Sequence, residues 1–216
     1  MTDRRAVRDT YDRIASHFAQ TREYPWPEVE AFVEGAEGVR TALDLGCGNG
    51  RHAELLAERA ERVVGLDLSR GVLATTRERA ATRGFDLDLV QGDASSLPLR
   101  TDGVDLAVYV AALHHLPSRA LRRASLDDLA RVLAPDGRAL VSVWSVTHST
   151  FDATEGFDTT VGWTLPGGEV VERYYHVYDP EEFDRDVRES ALAVERCYES
   201  GGNCYAVVMS TRRSPG

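Results

Sequence analysis

Short apolar runs alternate with longer amphipathic stretches after residue 40 of this chain. Residues 41–45, 62–67 and 138–144 predict strands, and Val104–Val110 is continuously apolar, as in a strand buried on both faces. Helical stretches lie between these runs, and one of them ends before Pro135. The alternation predicts an α/β fold with a parallel sheet and right-handed crossovers.

Both ends of the chain and one internal segment depart from that alternation. Leu192–Ser200 and Asn203–Ser210 predict two strands joined by a Gly-Gly turn as a hairpin. Residues 1–40 predict a helical N-terminal extension, and residues 145–180 form an aromatic-rich insertion on the substrate side, a candidate lid. We therefore expect one domain with a doubly wound, Rossmann-like, mostly parallel seven-stranded sheet that ends in an antiparallel hairpin.

A glycine-rich turn follows the first predicted strand, in the sequence ALDLGCGNG at residues 42–50. Gly46 and Gly48 allow the backbone to approach a ligand where a Cβ atom would clash, whereas Gly50 also suits the start of a helix. In such sheets, ligands bind beyond the carboxyl ends of the strands. The turn alone predicts only a cofactor site, because a dinucleotide-binding turn looks similar.

Three acidic residues at the ends of successive strands narrow that prediction. Asp44 can face the cationic amino acid end of S-adenosylmethionine. Asp67 can accept hydrogen bonds from both ribose hydroxyls, and Asp93 can accept one from the adenine amino group. The dinucleotide-binding fingerprint of dehydrogenases requires an acidic residue only at the Asp67 position. Each acid alone could simply cap a turn, but three in succession favour S-adenosylmethionine. We assign the cofactor contacts to Asp44, Gly46, Gly48, Asn49, Asp67, Leu68, Asp93 and Ala94.

The composition bears on the cellular environment and the possible partners of the protein. The formal net charge is −10, and all 25 basic residues are arginine, which suggests a high-salt cytoplasm. At about 1 M salt the Debye length is about 3 Å, so the acidic balance does not exclude RNA as a partner. The charged N-terminal segment lacks the apolar core of a signal peptide, so we expect a cytoplasmic protein. The three cysteines form no pair with metal-binding spacing, so we expect no metal site.

Several segments resemble the methyltransferases that act on 5-carboxymethyluridine at the tRNA wobble position. They are YDRIASHFAQTREYPWP (11–27), ALDLGCGNG (42–50), VYVAALHHLPSRALRR (108–123), VSVWS (141–145), VERYYHVY (171–178) and GGNCYAVV (201–208). The glycine motif identifies only the class I methyltransferase superfamily, whereas TREYPWP and RYYHVY are more particular. The resemblance implies methyl esterification of the uridine carboxylate, with tRNA as substrate and S-adenosylmethionine as donor.

The resemblance also implies a partner, since the eukaryotic members work with a small zinc-binding activator subunit. We expect a strand from Phe85 to Gln91 at the open edge of the sheet, with three apolar side chains on one face and two aspartates on the other. An unpaired edge is a template for another chain's strand. The activator is therefore expected to add its own strand here, although charge alone could also protect the edge.

The transfer needs a positioned carboxylate and no general base, because a carboxyl group with a pKa of about 4 is ionised at neutral pH. Arg22 and Arg173 are the candidate carboxylate clamps, since a guanidinium matches a carboxylate bidentately; solvated arginines are the alternative. Trp26 and Trp163 could stack on uracil or pack in the core. Either His114 or His115 is expected at the methyl group, with His114 favoured. Tyr175 and His176 complete the predicted substrate pocket.

The sequence leaves two alternative functions open. A small-molecule methyltransferase, acting on a quinone precursor or another metabolite, would use the same glycine motif but has no need of RYYHVY. A non-catalytic, cofactor-binding partner subunit would not need to retain Asp44 and Asp67, and both are present.

Overall fold

Six α-helices and nine strands follow one another in residues 3–212, the part of the chain that the computed structural model describes. In chain order they are α1 (Arg4–Gln20), α2 (Pro27–Glu34), β1 (Val39–Leu45), α3 (Arg51–Ala57), β2 (Ala60–Asp67), α4 (Arg70–Arg83), β3 (Asp88–Gln91), β4 (Val104–Val110), α5 (Arg119–Val132), β5 (Leu133–Trp144), β6 (Phe157–Thr164), β7 (Val170–Val177), α6 (Pro180–Arg188), β8 (Leu192–Ser200) and β9 (Asn203–Ser210). A 3-10 turn, Leu113–His115, follows β4.

Seven strands form the main sheet in the order β3-β2-β1-β4-β5-β9-β8. The first five are parallel, and β9 runs antiparallel to both β5 and β8. The predicted fold class is therefore confirmed, including the terminal hairpin. Alternate residues of β1 pack on opposite faces, with Leu43 in one apolar core and Ala42 in the other. The strand order reverses between β1 and β4, where this architecture binds its ligands.

Side-chain caps start the helices that frame this reversal point. Asp3 caps α1 by accepting from the backbone N–H of Ala6 at 2.8 Å. Ser69 caps α4, accepting from Val72 N–H at 3.1 Å. Asp12 of α1 accepts from the Ser69 hydroxyl and the Gly71 N–H, which ties α1 across the start of α4. The N-terminal helix thus lies over the ligand-binding end of the sheet.

Two predicted strand starts differ from the structure by more than two residues. The strand expected from Phe85 begins only at Asp88, because the Phe85 N–H still bonds the Ala80 carbonyl at the end of α4. It is nevertheless the edge strand, as predicted. Strand β5 begins at Leu133 instead of residue 138, because Leu133 pairs with Val104 before a bulge interrupts the ladder.

The insertion at residues 145–180 contains a second, two-stranded sheet. Strands β6 and β7 pair antiparallel from Phe157↔Val177 to Thr164↔Val170. Sequence analysis found the insertion but neither strand. A small apolar cluster around Tyr175 and Val177 joins this hairpin to the end of β5. Within residues 3–212, no helix is both long and apolar enough to cross a bilayer.

Candidate active site

A cavity of about 390 Å³ lies beyond the carboxyl ends of β1, β2, β3 and β4, with α1 and β7 closing its sides. Most of the residues predicted for the site line it: Arg22, Trp26, Gly46, Gly48, Asn49, Asp67, Leu68, Asp93, Ala94, His114, His115, Arg173 and Tyr175. Asp44, Trp163 and His176 do not line it. The predicted residues that line it come from six separate parts of the chain.

Gly46 makes the closest approach in the glycine turn. Its φ is +71°, and a Cβ atom there would lie 2.4 Å from the Cβ of Ala112. Such a conformation and such a contact both exclude larger residues. Gly50 instead caps α3 and faces Thr76 of α4, so it has a packing role.

Asp67 is held rigidly at the end of β2. Its two oxygens accept from the backbone N–H groups of Gly48 at 3.2 Å and Ser69 at 3.0 Å. Burial raises the pKa of its carboxyl to about 6, against these backbone hydrogen bonds. A fixed carboxylate at this position can accept from vicinal hydroxyls of a ribose, so the residues present fit the predicted cofactor.

Asp44 lies outside the cavity lining but has one unsatisfied oxygen. It is 1% exposed, and Oδ2 has no hydrogen-bond partner among residues 3–212. Burial raises the pKa of this carboxyl to about 7. An orphaned buried oxygen is what a ligand ammonium group would satisfy, consistent with the sequence prediction.

An ion pair within the protein competes with the adenine contact predicted for Asp93. Asp93 lines the cavity, but its carboxylate forms an ion pair with Arg4 and accepts from the Ser95 N–H and hydroxyl. A ligand amino group can use this carboxylate fully only if Arg4 moves. Sequence analysis did not identify this contact, because 89 residues separate the two side chains.

Asn49 connects the glycine turn to the N-terminal segment. Its amide nitrogen donates to the carbonyl of Ala19 at 3.2 Å and to that of Arg22 at 2.7 Å. The amide is therefore used within the protein, and its effect on the cavity is to hold the segment that carries Arg22.

The two adjacent histidines have different roles. Nδ1 of His115 lies 2.8 Å from the Tyr174 carbonyl and must donate to it, so Nε2 accepts from the Tyr11 hydroxyl at 2.8 Å. His114 accepts from the Trp144 N–H through Nδ1 at 2.9 Å, which leaves its proton on Nε2. Burial lowers the pKa of His115 to about 4 and that of His114 well below its usual value, so both are neutral. His114 is the ring that retains a free donor.

Arg173 is a buried cation without a counter-ion. It is 7% exposed, its Nε has no hydrogen-bond partner, and no acidic residue among those the structure describes pairs with it. Its guanidinium carbon lies 4.7 Å from the ring centroid of Trp163 and 5.2 Å from that of Tyr175. Because a buried charge is stable only when paired, this arrangement is suited to an anionic ligand.

Arg22 approaches the same place from the other wall. Its guanidinium carbon lies 5.3 Å from the Phe18 ring and 5.7 Å from the Trp163 ring. Trp163 thus contacts both arginines, while its indole N–H donates to Nδ1 of His17 at 3.1 Å. Its role is to hold the two guanidinium groups, since it does not line the cavity itself.

The prediction for His176 requires correction. On β7 the side chains alternate, so His176 lies on the face opposite Arg173 and Tyr175. Its ring nitrogens bond Asp158 at 2.7 Å and Glu182 at 3.0 Å, outside the cavity. Trp26 does line the cavity, but it also packs on Tyr205 in the core.

Sequence analysis missed several lining residues: Tyr11, Phe18, Arg51, His52, Trp144 and His148. Tyr11 and Phe18 lie seven positions apart on α1, a helical spacing that could have placed both on one face. Burial lowers the pKa of His52 to about 3, so that its ring is neutral.

Comparison with known proteins agrees with this geometry. A family model described as a methyltransferase domain matches residues 42–137. The chain is 32% identical, over 80% of its length, to a tRNA (carboxymethyluridine(34)-5-O)-methyltransferase of Arabidopsis thaliana, and it spans 39% of that protein's length. It is 31% identical to a putative methyltransferase of Encephalitozoon cuniculi, with 83% of each chain covered.

Solved structures show the same fold. One is the complex between the Haloferax volcanii Trm112 methyltransferase activator and a putative methyltransferase, with 18% identity, a TM-score of 0.70, and coverage of 97% of this chain and 100% of that one. With the glycine turn, the strand-end acids and these relatives in view, the chain belongs to the S-adenosylmethionine-dependent methyltransferases and is similar over most of its length to tRNA (carboxymethyluridine(34)-5-O)-methyltransferases.

Proposed function

We propose that this protein methylates the carboxylate of 5-carboxymethyluridine at the wobble position of tRNA and so forms the methyl ester. The observation that carries the proposal is Arg173, a buried guanidinium in the cavity wall that has no counter-ion among residues 3–212. A substrate carboxylate supplies the missing charge through a bidentate contact. Arg22 strengthens the same site from α1.

The protein's own groups position the substrate and do not remove a proton. The bound cofactor supplies an activated methyl group on a sulfonium. Arg173 and Arg22 hold the carboxylate, and His114 offers its Nε2–H as a further donor. The Tyr11 hydroxyl is committed to His115, which fixes the wall of the cavity. Because both histidines are neutral and the carboxylate is already ionised, no general base is needed.

The residues assigned to the cofactor divide between its two ends. Asp67 is placed to accept from the ribose hydroxyls, and Asp44 has the unsatisfied oxygen for the amino group. Gly46 and Gly48 leave room for the backbone to approach the ligand. Leu68 and Ala94 line the cavity beside Asp67 and Asp93, where the adenine would pack.

The small-molecule alternative predicts a different substrate for the same cavity. The purified protein should be incubated with labelled S-adenosylmethionine and either carboxymethylated tRNA or the same tRNA lacking the carboxymethyl group. We expect label only in the carboxymethylated tRNA, and mild alkali should release it as methanol, since an ester hydrolyses whereas N-methyl and ether groups persist. Alkali-stable label, or transfer to a metabolite but not to tRNA, would refute the proposal.

We further infer that a small activator subunit pairs with the edge strand β3. Four residues of this strand form the end of the sheet, and the first two, Asp88 and Leu89, border a surface groove between α4 and residues 85–89. Leu87 and Leu89 pack over Gly65, so their side chains are used within the protein and the backbone edge is what remains for a partner. The solved complex of a protein with this fold supports an activator as the partner.

Pairing at β3 can be tested by co-purification with the activator of the same organism. Leu89→Pro removes a backbone donor from the edge and should reduce complex formation. The matched control is Glu195→Pro, which lies at a bulge in the opposite edge strand β8 and should leave the complex intact. Equal effects of the two substitutions would contradict pairing at β3.

A further inference from the structure

Tyr24 is an aromatic side chain held in solvent beside the active-site cavity. It is 77% exposed, the largest value among the large apolar side chains of residues 3–212. Arg22 and Trp26, two positions before and after it in the chain, both line the cavity. An exposed aromatic ring on a loop between two cavity residues is a candidate contact for a ligand larger than the cavity.

The backbone that carries this ring is fixed by three side chains. The carbonyl groups of residues 22, 23 and 24 accept hydrogen bonds from Asn49 Nδ2 at 2.7 Å, Arg79 Nη2 at 2.7 Å and Arg51 Nη1 at 3.4 Å, respectively. Proline residues on both sides of Trp26 restrict the loop further. The ring of Tyr24 is therefore presented from a rigid segment, which lowers the entropy lost when a partner binds it.

Two guanidinium groups lie on the cavity side of the same loop, while Glu23 within the loop is paired with Arg83. Arg22 and Arg51 line the cavity, and within residues 3–212 neither forms an ion pair with a carboxylate. Burial, together with the neighbouring charge of Arg22, lowers the pKa of Arg51 to about 10. Two guanidinium groups that repel each other at a cavity mouth form a local site for an anionic chain.

We propose that Tyr24 stacks on the nucleobase next to the nucleotide that enters the cavity. The inference rests on the proposed function, because it takes RNA as the substrate. A nucleotide drawn into an enclosed pocket leaves its stack, and its neighbour loses one face of contact. An exposed aromatic ring at the pocket mouth replaces that lost contact, and guanidinium groups beside it meet the phosphates.

The test is a double-mutant cycle between Tyr24 and the RNA. The substrate is an anticodon stem-loop with one 5-carboxymethyluridine, prepared intact, with an abasic site on the 5′ side, and with an abasic site on the 3′ side. Wild type, Tyr24→Ala, Tyr24→Trp and the control Val170→Ala are each assayed, with the activator present if the protein needs it. Val170 is the other exposed large apolar side chain of the described residues.

With the intact RNA, Tyr24→Ala should lower kcat/KM roughly tenfold, mainly through KM, as expected for one stacked base. Tyr24→Trp and Val170→Ala should stay near wild type. One of the two abasic RNAs should lower the wild-type value to a similar extent and leave Tyr24→Ala with no further loss.

The stacking proposal would be overturned if Tyr24→Ala did not lower kcat/KM, or if its reduction of kcat/KM multiplied with that of the abasic site for both abasic RNAs. Either result would leave the methyltransferase function intact. No methyl transfer to the intact stem-loop by wild type would instead refute the function on which the proposal rests.

Discussion

The Tyr11 hydroxyl lies 2.8 Å from Nε2 of His115 and connects the N-terminal helix to the turn after β4. The other nitrogen of the ring donates to the Tyr174 carbonyl on β7. One neutral imidazole therefore joins three elements that are distant in the sequence. Because both its nitrogens are engaged, His115 holds the cavity wall together, and His114 is the histidine that we propose for the substrate contact.

Tyr11→Phe removes the donor to His115 and leaves a buried nitrogen unsatisfied. We expect the free energy of unfolding to fall by about 1–3 kcal/mol, the usual cost of such a group. Urea unfolding measures this change directly. Tyr24→Phe is the matched control, because its ring is exposed and should not alter stability. Equal stability of Tyr11→Phe and wild type would show that the bond to His115 contributes nothing.

Gly46→Ala tests whether the tight turn is needed for the cavity. A Cβ atom at this position meets Ala112 at 2.4 Å, whereas at Gly84, with a similar φ of +75°, it meets nothing within 4 Å. Gly84→Ala should therefore cost only about 1–2 kcal/mol for the left-handed backbone. Gly46→Ala should cost more and abolish cofactor binding in calorimetry, and Ala112→Gly should partly restore both. Similar losses for the two alanine variants would contradict the close-approach argument.

The sheet could be predicted from sequence because each strand is a local apolar run. Val104–Val110 and the terminal hairpin strands were assigned with the bounds that the structure shows. Strand β3 was assigned three residues too early, since the alternation of Phe85 and Leu87 reflects packing against the apolar cluster that contains Leu56 of α3 and not ladder pairing. Apolar alternation reports the buried face of a segment but does not fix where hydrogen bonding starts.

Only part of the cavity could be predicted from the sequence. Asp67 follows a strand and could be placed by topology alone. The Arg4–Asp93 ion pair and the Tyr11–His115 bond join residues 89 and 104 positions apart, so no local pattern contains them. His176 was misplaced because motif proximity to Arg173 took no account of the alternation of faces along β7.

Asp67→Ala should weaken S-adenosylmethionine binding by about 1.5–3 kcal/mol, the scale of hydrogen bonds to a charged group. The carboxylate is already oriented by two backbone N–H groups, so the cofactor does not have to order it. Isothermal titration calorimetry gives the change in affinity. Asp184→Ala, which removes a surface ion pair with Arg188, should leave the affinity unchanged. An unaltered affinity in Asp67→Ala would remove the ribose assignment.

Stability should depend on pH through the buried acids. Burial raises the pKa of Asp44 to about 7 and that of Asp67 to about 6, from about 3.9 in the unfolded chain. Between about pH 4 and 7 the folded protein therefore binds more protons than the unfolded one, and the free energy of unfolding contributed by these groups falls as the pH rises.

Asp44→Asn removes one of these titrations without changing the shape of the side chain. Its free energy of unfolding should fall less steeply than that of wild type between pH 4 and 7 in the absence of cofactor. Urea unfolding at several pH values provides the comparison. Parallel pH profiles for the two proteins would contradict the raised pKa of Asp44.

The central claim is that Arg173 holds the carboxylate that receives the methyl group. The direct measurement is the single-turnover rate of methyl transfer to a stem-loop with 5-carboxymethyluridine, compared for wild type, Arg173→Met and Arg196→Met. Arg196 is the matched control, because it also lies over an aromatic ring, at 4.7 Å from Tyr198, but on the exposed surface of β8. We expect Arg173→Met to lose on the order of a hundredfold or more in rate with unchanged cofactor affinity, since positioning the nucleophile carries that much of the barrier. Arg196→Met should match wild type. Near wild-type transfer by Arg173→Met would contradict the account.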